Sequence, residues 1–213
     1  MSQKTKTRIL ETALRLFNDR GSGNVSTRHV ADELGMSPGN LYYHYANKEA
    51  IVRALFARLD ETWDEAYRFS LDEPLTLGRV AEMLSVTFEI VWRYRFFFRE
   101  MTLLVHNDPA LAGHYWEVRE RSLKDTRFVL ACAVDAELLL PLADGALDRL
   151  TEALVVVSNH WLSFEEMGGD PRNTQNGVEL LLSLLEPHLT PHAARDLATL
   201  LSVQGDAPWK TAP

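Results

Sequence analysis

The 213-residue sequence predicts an all-α protein in two parts: an N-terminal three-helix domain built around a helix-turn-helix, and a larger helical domain after it. Three observations carry that expectation. Apolar residues recur at three- and four-residue spacing along most of the chain. Helix starts and stops, marked by Ser/Thr/Asn/Asp, Pro and Gly, separate those periodic stretches. No segment shows the period-two alternation of a strand, and the one β-branched run, Leu154-Val155-Val156-Val157, lies inside a longer helical pattern.

In chain order, residues 4–20 place Ile9, Leu10, Ala13, Leu14, Leu16 and Phe17 at helical spacing. Gly21-Ser22-Gly23-Asn24 ends this helix as a loop. Thr27 is read as the N-cap of a short helix through Leu34, which Gly35 stops. Ser37-Pro38 reads as a cap and first-turn proline of a second short helix, about 38–44, with Leu41 inward. Val30, Ala31, Leu34, Met36 and Leu41 form the small interior of this helix-turn-helix. Ala46-Asn47 caps a longer helix from Lys48 to about Ser70. Asp72-Glu73-Pro74 breaks the pattern, and helices follow over 75–94, 95–106 and, after an Asp108 cap and Pro109, 109–134. Pro141 and Asp144-Gly145 precede an apolar helix over 146–167, ended by Gly168-Gly169-Asp170-Pro171. A Leu-rich helix over 174–186 and a last one capped by Thr190-Pro191 complete the reading, with a frayed tail from Gly205. The domain boundaries expected are 1–48, 49–205 and a tail 206–213, the helix over 48–70 acting as the link.

Apolar residues make up 46% of the chain, enough for a sizeable core, yet no run is long enough to span a bilayer. The N-terminus lacks the apolar segment of a signal peptide, and the single Cys132 can form no internal disulfide, so a cytoplasmic protein is expected. The net charge of −8 is unevenly spread. Residues 1–58 hold nine Lys/Arg against five Asp/Glu, a net +4, which leaves −12 for the remainder. A cationic head on an anionic body suits a polyanion that meets one end of the molecule only. On the 38–44 helix, Gly39, Asn40, Tyr42, Tyr43 and His44 are left to face outward, where amide and aromatic side chains suit a DNA major groove. The alternative for the tyrosines is surface packing, and for His44 a role at the helix end.

The first 58 residues resemble the tetracycline-repressor (TetR) family of bacterial transcriptional regulators. The resemblance is carried by Ile9-Leu10-Glu11-Thr12-Ala13-Leu14-Arg15-Leu16-Phe17, Ser26-Thr27-Arg28-His29-Val30-Ala31, Gly35 to Tyr45 and Asn47-Lys48-Glu49-Ala50-Ile51, in that order. It implies DNA contacts from Thr27 and Arg28, a recognition face of Ser37, Gly39, Asn40, Tyr42, Tyr43 and His44, and a phosphate contact from Lys48. Many members have a residue other than Pro38 at that position, which a helix's first turn tolerates. The resemblance further implies a homodimer on palindromic operator DNA and a C-terminal domain that holds a small effector. Backbone amides at the starts of helices two, three and four are expected to help place phosphates.

For that effector, apolar or amphipathic and unidentified, the expected lining is Phe88, Trp92, Phe96, Phe98, His106, Tyr115, Trp116, Asn159 and Trp161. Phe97 and Phe164 belong to the same aromatic concentration, and Arg93, Arg95, Arg99, His114 and His160 are further polar anchors; for each, plain core or surface is the alternative. The helices over 146–167 and 174–201 carry surplus apolar surface that fits a four-helix dimer contact. An effector among helices 75–167 is expected to tilt the 48–70 helix and separate the reading heads. No catalytic residue, cofactor or metal site is expected: glycine-rich phosphate loops and nucleophile elbows are missing, and Cys132 reads as inert core. Two other readings stay open, an effector-independent architectural or division-control DNA binder, and an all-α enzyme.

Overall fold

The computed structural model describes residues 2–68, 74–143, 145–168 and 174–203. Among them are ten α-helices and no strand, so the all-α expectation holds. The helices are α1 (Ser2–Arg20), α2 (Thr27–Glu33), α3 (Pro38–His44), α4 (Lys48–Arg68), α5 (Leu77–Arg93), α6 (Arg95–Asn107), α7 (Pro109–Asp135), α8 (Ala146–Gly168), α9 (Gln175–Leu185) and α10 (Pro191–Val203). The expected breaks at Asp72-Glu73 and Gly169–Pro171 and the tail lie outside the described residues.

The chain divides into two compact units. The first joins Met1–Thr62 to Arg93–Glu117, and the second joins Trp63–Trp92 to Val118–Pro213. Thus α6 and the start of α7 pack with the N-terminal helices, a grouping that sequence proximity does not suggest.

In the first unit α1 packs on α2, α2 on α3 and α6 on α1. Ile9, Ala13, Phe17, Val30, Ala31, Leu41, Ile51 and Leu55 are fully buried, the inward stripe that the spacing predicts. Leu34 and Met36 are half-buried. Ser37 caps α3, its Oγ accepting the Asn40 N–H at 3.3 Å, and Pro38 fills the first turn where no N–H is needed. Gly35 ends α2 in the left-handed region at φ 64°, where an L side chain is strained. The cap of α2 differs from the expectation. Ser26, not Thr27, is the cap: its Oγ accepts the His29 N–H at 3.3 Å, while His29 Nδ1 accepts the Ser26 N–H at 3.2 Å. The reciprocal partner is a histidine rather than the usual Glu or Gln, so the familiar pattern is hidden in the sequence.

Asp108 caps α7 as the sequence predicts, accepting Ala110 N–H at 3.1 Å and Leu111 N–H at 3.2 Å. Arg53 of α4 donates to its other oxygen at 2.6 Å. Burial alone would raise the Asp108 pKa, but the Leu111 N–H, the Arg53 guanidinium and the Ala110 N–H outweigh it, and the net shift is downward. A depressed folded-state pKa means stability that is present above the unfolded value of about 4 and fades as pH falls below it. Asp108→Ala is expected to cost about 1–2 kcal/mol at neutral pH through the lost cap and ion pair. Thermal melts against pH should show this gap closing below about pH 4; a gap independent of pH would contradict the assignment.

In the second unit α8 packs on α9. Phe88, Val91, Trp161, Leu162, Val178, Leu181 and Leu182 form its core, with the Phe88 and Trp161 rings edge-to-face at 4.9 Å. The segment after α7 is tied to the start of α10 by Leu140 N–H to His188 O (2.8 Å) and Thr190 N–H to Leu138 O (3.0 Å). Cys132 is half-buried rather than core, since Leu130 and Ala133 take the inward positions on that turn of α7.

Candidate nucleic-acid interface

Only Leu41 of the seven residues of α3 is buried. Burying one Leu side chain contributes roughly 1.5–3 kcal/mol, which pins the inner face of so short a helix. Gly39 and Asn40 are exposed, Tyr42 is 50% exposed and Tyr43 81%. The Tyr42 hydroxyl lies 3.1 Å from Thr27 Oγ1, which fixes α3 against the start of α2. Tyr43 is therefore the more available of the two rings. His44 does not face outward as the sequence suggests. It is half-buried at the end of α3, beside the Tyr43 ring at 5.2 Å, and its Nδ1 is sealed from solvent without a hydrogen-bond partner.

Thr27, Tyr42 and Lys48 converge on one open concavity of about 400 Å³, completed by Gly23, Asn24, Val25, Ser26, His29, Ala46 and Asn47. Its lining is more apolar than polar, with Lys48 supplying the cation that suits a phosphate. The expectation that helix-start amides supply donors needs a correction in part. The His29, Asn40 and Ala50 N–H groups are already taken by Ser26 Oγ, Ser37 Oγ and Asn47 Oδ1. Lys48 Nζ donates to Ser22 O at 2.8 Å. Arg28 lies 3.8 Å from Asp32 with both side chains largely exposed, a pairing worth little in water and readily exchanged. Ser37 is exposed but its hydroxyl serves the cap.

The nine residues expected to line an effector site are divided between the two units. Phe96, Phe98, His106, Tyr115 and Trp116 fall in the first, while Phe88, Trp92, Asn159 and Trp161 fall in the second. Phe96 is buried against Phe17 of α1 at 5.3 Å, so it packs the core under the helix-turn-helix, and Phe98 is buried beside Phe97 at 6.0 Å. Tyr115 sits 6.3 Å from Phe56. His106 and Trp116 are exposed. In the second unit Phe88 is fully buried, Trp92 and Asn159 are half-buried, and Trp161 is 3% exposed with its indole N–H lacking an acceptor.

The family model for the N-terminal domain of bacterial regulatory proteins of the tetR family matches residues 9–55, and one described as a bacterial transcriptional repressor, TetR, matches residues 58–197. The chain belongs to the TetR family of transcriptional regulators. It is 31% identical over 123 residues to the regulator TtgR of Pseudomonas putida, covering 56% of this chain and 58% of that one. It is 35% identical over 60 residues to UidR of Escherichia coli, covering 28% and 31% respectively. The chain thus spans a little over half the length of TtgR and less of UidR. Among solved structures, a TetR-family regulator from Marinobacter aquaeolei superposes with a TM-score of 0.88 at 31% identity, over 93% of this chain and 98% of that one. One from Haloarcula marismortui shares the fold, with a TM-score of 0.73 at 15% identity over 88% and 100%.

Relatives of this TetR-family regulator act as transcriptional regulators, a role without catalysis. Among the described residues no group of His, Cys, Asp and Glu could hold a metal ion, and no helix is long and apolar enough to cross a membrane. The sequence does not reveal Ser26, His29 and Asn47 as parts of the concavity. Each is a capping residue, and capping signals are local, so the shared surface they build becomes visible only when the first turns of α2 and α4 are brought together.

Proposed function

We propose that this TetR-family regulator binds palindromic operator DNA as a homodimer, in the cytoplasm, and releases it when a small apolar or amphipathic effector binds. The observation that carries the DNA reading is α3 itself, a two-turn helix whose single inward anchor leaves Asn40 and Tyr43 on a solvent face. Such side chains stabilise no core, and they match the hydrogen-bonding edges and methyl groups of a major groove. Thr27, Arg28, Tyr42 and Lys48 then hold the backbone, while Ser37 and Gly39 shape the approach.

The dimer reading rests on α8 and α9. Val156, Phe164 and Met167 are 56%, 71% and 81% exposed along one side of α8, and Leu180 of α9 is 41% exposed. Large apolar groups at that spacing form a stripe that water disfavours and a second copy would cover. Sedimentation and duplex binding test both halves together. Phe164→Glu is expected to yield monomers and to weaken binding to a two-half-site duplex at least a hundredfold, since each head then binds alone. A dimeric Phe164→Glu protein with unchanged affinity would contradict the reading.

Support for an effector is the buried Trp161 indole N–H. An orphaned buried donor costs about 1–3 kcal/mol, which an acceptor oxygen on a bound molecule would recover. Release requires the effector to favour the state that does not fit DNA, since equal affinity for both states shifts nothing.

A further inference from the structure

Ser22 opens the 3-10 turn between α1 and α2, and it is 3% exposed. It is gripped from two directions. Glu100 of α6 accepts its backbone N–H at 2.8 Å through Oε1 and its hydroxyl through Oε2. From the other side Lys48, the first residue of α4, donates Nζ–H to the Ser22 carbonyl at 2.8 Å. Glu100 cannot drift, because α6 is fastened to the end of α1 close by. Arg99 donates to the Asn18 carbonyl at 2.8 Å, and the Asn18 side chain accepts the Phe96 N–H at 3.0 Å while donating to the Arg93 carbonyl at 2.9 Å. The chain also makes room for the carboxylate. A Cβ at Gly21 would stand 3.2 Å from Glu100 Oε1, and Gly21 adopts φ 78°, a conformation that a side chain would strain.

The same turn has a second face. Gly23 and Asn24 line the open concavity together with Lys48. A lysine stem is flexible, and ordering it opposes binding unless something fixes it beforehand. Here the Ser22 carbonyl does so, and that carbonyl is held because Glu100 clamps the residue bearing it.

We propose that Glu100 is a positioning residue for DNA-backbone binding: by clamping Ser22 it sets the carbonyl that aims the Lys48 ammonium at a phosphate in the concavity. One N–H of Lys48 is spent on Ser22, and the other two remain for phosphate oxygens. The placement of α6 against α1 thereby governs a DNA contact without Glu100 touching DNA. This inference rests on the DNA-binding reading above.

The test separates reach from charge. Glu100→Asp keeps the charge but shortens the side chain by one methylene, so it cannot span both Ser22 donors. Glu100→Gln loses the charge but keeps the reach. Binding of a mixed-sequence duplex of about 30 base pairs, measured from low to moderate salt, gives a log–log slope that falls by about 0.9 for each phosphate the protein ceases to neutralise. Lys48→Ala is expected to reduce the slope by about 1.8 for a dimer, or about 0.9 per subunit. Glu100→Asp is expected to match it and to weaken binding. Adding Lys48→Ala to Glu100→Asp should then change nothing further, and Glu100→Gln should keep the wild-type slope. A mere surface-charge role predicts otherwise: Glu100→Gln would tighten binding and Glu100→Asp would leave it alone. That result, a wild-type slope for Glu100→Asp, or additive effects in the double variant, would overturn the inference. If the wild-type protein ignored the duplex even at low salt, the DNA-binding reading itself would fail.

Discussion

Gly177→Ala is expected to destabilise the protein by about 2–3 kcal/mol and lower its melting temperature by roughly 4–12 °C. A Cβ at this position of α9 would stand 2.5, 2.6 and 2.8 Å from three carbons of the Phe88 ring. That ring has no exposed surface and meets Trp161 edge-on at 4.9 Å, so it has nowhere to swing. In an ordinary helix interior, glycine to alanine gains about 0.5–1 kcal/mol. Overpacking in a dense core costs about 1–3 kcal/mol and sometimes more, and contacts this short belong at the upper end. The clash wins. Phe88→Leu, placed in the same chain, should recover part of the loss by opening the space, with a coupling of about 1 kcal/mol or more in a double-mutant cycle. Calorimetry on the four proteins decides the matter. A Gly177→Ala protein melting at or above the wild type would contradict the close approach of α9 to α5.

The second large effect falls on α3. Asn40→Ala is expected to cost about 1–3 kcal/mol of affinity per half-site on the preferred duplex, and Tyr43→Ala about 1 kcal/mol. Both side chains are exposed, so melting temperatures should stay within about 0.5 kcal/mol equivalent of the wild type. The Asn40 cap bond uses its backbone N–H, which alanine keeps. Base-edge contacts carry sequence information but neutralise no phosphate. Asn40→Ala should therefore leave the salt slope and the affinity for unrelated DNA unchanged, whereas Lys48→Ala changes both. Titrations of matched and unrelated duplexes distinguish the two classes of contact. Equal weakening on both duplexes for Asn40→Ala would remove it from the reading face.

Much of this architecture is legible because its signals are short-range. Ser37-Pro38 marks the start of α3, Asp108-Pro109 that of α7 and Thr190-Pro191 that of α10, since a cap and its helix are neighbours in sequence. Leu41 as the sole inward residue of α3 follows from spacing alone. Family membership is carried by linked motifs in the first quarter of the chain, and the match over 58–197 extends it. What stays hidden depends on distant segments. Nothing near Phe96 in sequence tells that it packs under the helix-turn-helix against Phe17, so an aromatic-rich helix reads as pocket lining. The Glu100–Ser22 clamp joins residues 78 apart, and the Gly177–Phe88 approach joins two helices that no pattern pairs. His44 departs from its expected place for a different reason. On a helix of two turns, the last residue can fold back toward the body whatever its position on the helical wheel, and its ring does so.

Selection from a randomised duplex library tests most directly whether α3 reads duplex DNA with two copies acting together. The purified wild-type protein is expected to enrich an inverted repeat whose half-site centres lie about 34–36 Å apart, or somewhat more, with Asn40→Ala relaxing the preference within each half. Failure to enrich any sequence, together with no duplex binding at about 50 mM salt, would contradict that reading.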